Sequence, residues 1–343
     1  MRLALRDLTA YTLEVREAHT KLNQNESPDD LPAELKRGIV EEALARPWNR
    51  YPDFESSTLR NALAREYGLA AENILTGNGS NELLAAAITA FVAPGTQVVM
   101  LRPSFTLYEK LTTIAGGVPR FIDADPASPL LPARDMIRLA STLDGPLVIA
   151  CSPNNPTGGV LPAGALDALL GTGATVFLDR AYGDFAGDTL PPLHDRLVTF
   201  STFSKAWGLA ALRIGWLAAT AATAREIRKV TLPYNLNVIS EAAAVIALRN
   251  RAGRDETVAR TIRERERAGR ALAAMRSVEV FPSAANFIAF RIPDAHRTFE
   301  ALCARGVLVR DISSYPGLAG CLRVSIGSAA ENDAFLAAIE EVL

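Results

Sequence analysis

At 343 residues the chain has room for about two domains, and 49% hydrophobic with 22% charged residues is the balance of an ordinary globular enzyme. A net charge of −2, from 36 basic and 38 acidic side chains, leaves no excess of positive charge for a nucleic-acid surface. Three cysteines without CxxC spacing and three scattered histidines argue against a disulfide framework, a zinc site or a histidine metal centre.

The first residues carry Asp7 and Glu14 and no apolar run of signal-peptide length, and no stretch reaches the roughly 18 apolar residues of a membrane span, so a cytoplasmic protein is expected. Residues 1–30 lack periodicity and close on NQNESPDDLP, the composition of an arm or loop. A helix is predicted over 32–46, stopped by Pro47, and another over 56–67, ended by Gly68. From 73 to 218 short apolar runs alternate with helical patterns. Strands are predicted at 73–76, 97–101, 119–122, 147–151, 175–179, 197–201 and 214–218, with helices at 80–92, 104–115 and 162–171 among them. Most of these runs are continuous, as strands covered on both faces should be. The expected fold class is therefore α/β, a mostly parallel seven-stranded sheet sandwiched by helices. Residues 221–275 read as helical, with the charge run 263–267 as a solvated face. Short strands at 278–281, 286–291, 307–310 and 322–326, with helices at 294–305 and 330–343, make a smaller α+β domain. The expected division is an arm over 1–30, a large domain over 52–245, and a small domain from 31–51 plus 246–343.

Four segments carry candidate chemistry. Gly77-Asn78-Gly79-Ser80-Asn81-Glu82 is a glycine-rich strand-to-helix turn whose free N–H groups suit a phosphate; it is neither of the two standard nucleotide-binding fingerprints and also reads as a capped turn. CSPNNPTGGV, 151–160, places Asn155 before Pro156 at the end of a central strand, where open α/β sheets bind ligands, and equally reads as turn chemistry. VFLDRAYGDF, 176–185, puts Asp179 at a strand end and Tyr182 three residues on. A carboxylate buried there needs a cation, although a helix N-cap is the plainer reading. In STFSKAWGLAALRIGW, 201–216, an apolar setting favours the free amine of Lys205, a nucleophile toward aldehydes. Thr202, Ser204 and Arg213 beside it can hold a phosphate, and a surface lysine beside a buried strand is the competing reading. A lysine for an aldehyde next to donors for a phosphate is what pyridoxal 5′-phosphate requires.

Taken together with KLNQNESP (21–28), RYPD (50–53), NILTGNGSNE (73–82), SAANF (283–287) and GVLVRD…GCLRVSIGS (306–328), these segments resemble the fold-type I pyridoxal-phosphate aminotransferases, and within them the histidinol-phosphate aminotransferase family. The resemblance implies that Lys205 forms the Schiff base with the cofactor and then moves the substrate proton, with Asp179 on the ring nitrogen and Asn155 and Tyr182 on the ring oxygen. It implies a phosphate cup of Gly79, Ser80, Asn81, Thr202, Ser204 and Arg213, and Phe105 stacked on the ring unless it is a core residue. Tyr51 matches a tyrosine that reaches the phosphate from the neighbouring subunit of a homodimer; a plain aromatic anchor is its alternative. Arg310 and Arg323 match the pair that grips the substrate's anionic end, though Arg310 also reads as a surface ion pair. Asn25 matches an asparagine near the substrate side chain. Two positions depart from the family: Arg180 stands where a glutamate is usual and Asn81 where an aspartate is usual. The implied reaction moves an amino group between L-histidinol phosphate and 2-oxoglutarate. An aromatic amino-acid aminotransferase, a threonine-phosphate-type decarboxylase and a catalytically silent binding protein are the competing readings.

Overall fold

A computed structural model describes residues 16–343, and in it the continuous apolar runs between residues 74 and 218 form the strands of one sheet. In chain order the elements are β1 (Thr20–Lys21), α1 (Ala33–Leu44), α2 (Ser57–Tyr67), β2 (Ile74–Gly77), α3 (Ser80–Phe91), β3 (Gln97–Arg102), α4 (Leu107–Ala115), β4 (Val118–Asp123), α5 (Ala133–Ser141) and β5 (Leu147–Cys151). They continue with α6 (Ala165–Gly171), β6 (Thr175–Asp179), α7 (Gly183–Ala186), β7 (Leu197–Thr202), β8 (Gly215–Ala218), α8 (Ala221–Arg228), α9 (Val238–Arg249) and α10 (Arg251–Ala273). The last part holds β9 (Glu279–Val280), β10 (Phe287–Arg291), α11 (Ala295–Ala304), β11 (Val307–Leu308), β12 (Arg310–Asp311), β13 (Cys321–Ser325) and α12 (Ala329–Val342).

The large sheet runs in the order β2-β8-β7-β6-β5-β3-β4. Only β8 opposes its neighbours; the remaining pairs are parallel. Burial on both faces explains why these strands lack polar alternation. In β5, Leu147, Ile149 and Cys151 pack into one core while Val148 and Ala150 pack into the other. The first core includes residues of α3, α4 and α8, and the second includes residues of α5 and α6. The same period of two puts Asp179 on the side of Phe177, which faces α3 and α4.

The smaller sheet is antiparallel, in the order β12-β13-β10-β9. Its covered face shares a core with Ala268 and Leu272 of α10, Leu302 of α11 and Phe335 of α12. A capping box between Ser328 and Glu331 starts α12.

Three expectations need correction. Residues 221–275 are three helices: Pro233, which has no N–H to give and disfavours helical backbone at Leu232, lies in the break between α8 and α9, and Asn250, with φ −111° and ψ 38°, separates α9 from α10. Helix α5 was not anticipated. The arm over 1–30 is in part a strand: β1 pairs in parallel with β11, while residues 1–15 lie outside the described part. In the same region α1 packs on α9, and Ile39 lies in a core with Leu59 and Leu63 of α2 and with Phe287 of β10.

Candidate active site

The cavity of interest opens at the carboxyl ends of β5, β6 and β7, where a doubly covered sheet leaves room for a ligand. Its wall is completed by the start of α3, by the segment before α1, and by β12 and β13.

At one end, α3 begins at Ser80 immediately after Gly79, whose φ of 83° suits glycine. A Cβ on Gly79 would lie 2.7 Å from Arg213 Nη2, and one on Gly215 would collide with the Ser80 backbone. Two glycines thus let the helix N-terminus, β8 and the arginine converge. Arg213 itself holds a left-handed backbone, φ 52°, of the kind strained sites retain. Thr202 Oγ1 donates to Ser204 Oγ at 2.9 Å, and Arg213 Nη1 donates to Ser204 Oγ at 3.4 Å. Backbone N–H groups, hydroxyls and a guanidinium around one end make an anion cup.

Lys205 follows β7, and its Nζ donates to the Gln24 carbonyl at 2.9 Å. Burial, reinforced by the Arg323 charge and opposed by Glu26, pushes its pKa down to about 7. Much of this amine is therefore neutral, and nucleophilic, at neutral pH. Beyond it, Asp179 is buried with only neutral partners: Tyr108 Oη donates to Oδ2 at 2.7 Å and the Ala181 N–H to Oδ1 at 2.9 Å. Burial raises its pKa, and those two donors only partly offset the effect. A cation is what this carboxylate lacks. Tyr182 lies against Phe287 edge-on at 5.2 Å, its hydroxyl accepts from Asn25 Nδ2 at 3.0 Å, and burial pushes its pKa up to about 12.

Arg323 Nη1 donates to Asn155 Oδ1 at 2.6 Å and Nη2 to the Asn23 carbonyl at 2.8 Å. With its oxygen taken, Asn155 has an NH₂ group to offer a ligand. Arg310 is the cross-strand partner of Arg323. Like charges directly opposite are unfavourable in a sheet unless an anion lies between them.

The structure brings Ser80, Asn81, Phe105, Asn155, Asp179, Tyr182, Thr202, Ser204, Lys205, Arg213, Arg310, Arg323 and Asn25 around one cavity, with Gly79 immediately behind Ser80. Tyr51 is elsewhere: it is 80% exposed and stacks on Tyr234 at 4.5 Å. Arg180 also points away, donating to the Asp188 carbonyl at 2.8 Å, so this departure from the family pattern does not touch the cavity. Sequence reasoning missed Tyr108, whose only signal was its place three residues after Phe105; the rings meet edge-on at 5.5 Å. It also missed Tyr315 and the Gln24 carbonyl, for which no local signal exists. Among the described residues no group of three or more His, Cys, Asp or Glu could hold a metal ion, and no helix is long and apolar enough to cross a membrane.

Residues 17–339 match the family model for class I and II aminotransferases. The chain is 37% identical to the histidinol-phosphate aminotransferase of Chlorobium phaeobacteroides (strain DSM 266 / SMG 266 / 2430), over 97% of this chain and 94% of that one. Identity is also 37% to the enzyme of that name from Aquifex aeolicus (strain VF5), over 98% and 96%. Among solved structures, the histidinol-phosphate aminotransferase of Sinorhizobium meliloti in complex with pyridoxal-5′-phosphate matches with a TM-score of 0.86 at 28% identity, covering 96% of this chain and 93% of that one.

Proposed function

We propose that this chain, which belongs to the class I and II aminotransferases and within them to the histidinol-phosphate aminotransferase family, moves an amino group between L-histidinol phosphate and 2-oxoglutarate. The observation that carries this reading is the pair Arg310 and Arg323, set side by side on the cavity that holds the low-pKa Lys205. Two adjacent guanidiniums suit a substrate whose far end is a phosphate in one half of the reaction and a carboxylate in the other.

The cavity fits pyridoxal phosphate at both ends. The cradle around Gly79 and Gly215 and the donors Ser80, Asn81, Thr202, Ser204 and Arg213 would hold its phosphate, and the cation-deficient Asp179 its ring nitrogen. Asn155 and Tyr182 would donate to its ring oxygen, and Phe105 would cover the ring. When bound, this cofactor supplies an aldehyde that captures amines and a ring that takes up the electron pair of the carbon being deprotonated. The chain's own work is then proton handling and orientation. Lys205, near neutrality in its resting charge, can take a proton from one carbon and return it to another. Arg323 and Arg310 would hold the substrate's anionic groups, and residues 23–25 line the cavity beside Lys205.

The test is a screen of amino donors, following the bound cofactor's absorbance through one half-reaction. Histidinol phosphate is expected to react at least about 10-fold faster than phenylalanine or tyrosine, a discrimination that a buried polar contact supplies. Faster reaction with phenylalanine would make it an aromatic aminotransferase. Carbon dioxide release from threonine phosphate would make it a decarboxylase, and no response to any donor a silent binder.

We further propose a homodimer in the cytoplasm. Three cysteines, odd in number and without CxxC spacing, support the reducing compartment. The exposed Leu44, Trp48, Tyr51, Phe54 and Leu232, with Tyr51 and Phe54 both packed on Tyr234, support a covered apolar face. Tyr51 would reach the phosphate cup of the second subunit. Light scattering is expected to give twice the 36.8 kDa chain mass. A fully active monomer would remove the proposal.

A further inference from the structure

The hydroxyl of Tyr182 has one proton, which it can send back into the protein or out into the cavity. The direction is set by a chain of hydrogen bonds whose first donor admits one orientation only. The backbone N–H of Asn25 donates to Ser325 Oγ at 2.7 Å. Ser325 Oγ lies 3.1 Å from Asn25 Oδ1, an atom without a proton, so the serine hydroxyl donates to it. With its oxygen committed there, the Asn25 amide turns its nitrogen to Tyr182 and donates to the phenol oxygen at 3.0 Å. The tyrosine accepts at this contact and keeps its own proton for another partner. Asn25 is 1% exposed, Ser325 3% and Tyr182 4%, so bulk water does not compete along the chain.

A second observation points the same way. Asn25 has φ 53°, a left-handed backbone that asparagine tolerates better than most residues, and its carbonyl is held by Asn286 Nδ2 at 3.1 Å. The residue is pinned from β13 and from the segment leading into β10, in the conformation that delivers its amide to Tyr182. Its side chain is therefore spent on a protein neighbour, although it borders the cavity.

We infer that Asn25 is a positioning residue which, locked by Ser325, forces Tyr182 to aim its hydroxyl proton into the cavity, where the ring oxygen of the cofactor is the acceptor. The inference rests on the pyridoxal-phosphate reading and extends it. Ser325 belongs to β13, Asn25 to the segment before α1, and Tyr182 to the loop after β6. The hydroxyl is thus oriented only while the smaller sheet is docked on the larger.

The experiment is a pH titration of the visible absorbance band of the cofactor-loaded protein. A donor on the ring oxygen favours its charged form and holds the titration midpoint down. Asn25→Gly, which accepts the positive φ without strain, is expected to raise the midpoint by about half to one pH unit. Ser325→Ala, at a residue that does not line the cavity, frees the amide to rotate and should shift it in the same direction by less. Tyr182→Phe should raise it at least as far as Asn25→Gly, and the double variant no further than Tyr182→Phe alone. The titratable and charged groups facing Tyr182, namely Arg323, Cys151, Asp179 and Lys205, are present in every variant and do not account for the difference. An unmoved midpoint in both Asn25→Gly and Ser325→Ala would overturn the inference. So would a double variant in which the two shifts add. Loss of the band in unaltered protein would instead sink the cofactor reading, which keeps the two failures apart.

Discussion

Lys205→Ala is expected to slow amino-group transfer by at least about 10⁴-fold in a single-turnover assay, because under the proposed function it removes both the amine that would capture the cofactor and the base that would move the substrate proton. No neighbour can take over. Tyr182 is held protonated, with its pKa near 12, and Asp179 is committed to Tyr108 and the Ala181 N–H. The fold should survive, and in the ligand-free protein it should gain stability. An unfolded lysine takes up a proton below its ordinary 10.5, whereas the folded Lys205 does so only below about 7. Between those values the unfolded state binds more protons, so stability rises with pH across that window. Lys205→Met, which keeps the apolar stem, should therefore stabilise the ligand-free protein by up to about 4 kcal/mol at pH 7. The gain should fade as the pH approaches 10.5. Denaturant titrations at several pH values measure it, and a gain independent of pH would refute the depressed pKa.

Asp179→Asn is expected to weaken pyridoxal-phosphate binding by about 10²–10³-fold, the loss that follows from removing one partner of a buried charge pair. The substitution isolates the charge. An asparagine oxygen can still accept from the Ala181 N–H, and its amide can donate to Tyr108, so both existing contacts keep a partner. The ligand-free protein should respond in the opposite sense. Burial raises the Asp179 pKa, so the ionised carboxylate destabilises the empty fold at neutral pH, and its neutral replacement should stabilise it. A variant more stable than wild type without cofactor and less stable with it would show that this position awaits a cation. Equal cofactor affinity in the two proteins would remove Asp179 from the site.

The strands of the large sheet were legible to within one or two residues, and the cause is local. A strand buried on both faces must be a continuous apolar run, and the loop after it must turn, so Leu147–Cys151 and Thr175–Asp179 announce themselves. The glycine-rich turn was equally legible, and each glycine in it has a steric reason: a Cβ at Gly77 would meet Leu83, and one at Gly79 would meet Arg213. The break around Pro233 was written in the chain but overridden by the helical periodicity on either side. Helix α5 was there to be read too, in Met136, Ile137 and Ala140 after Pro132.

What resisted reading was set by residues far apart in the chain. Tyr108 meets Asp179 from 71 residues away, and Asn25 meets Ser325 from 300. The chain by itself settled the α/β architecture, since continuous apolar runs and the turns after them follow from residue type and local backbone sterics, and its motifs pointed to Lys205 and the groups around it. Only the tertiary structure decided which way the Asn25 amide faces, where Arg180 points, on which core α1 rests, and that Arg310 stands opposite Arg323. Such outcomes depend on sheet register and on hydrogen-bond direction, and neither is encoded in any short window of sequence.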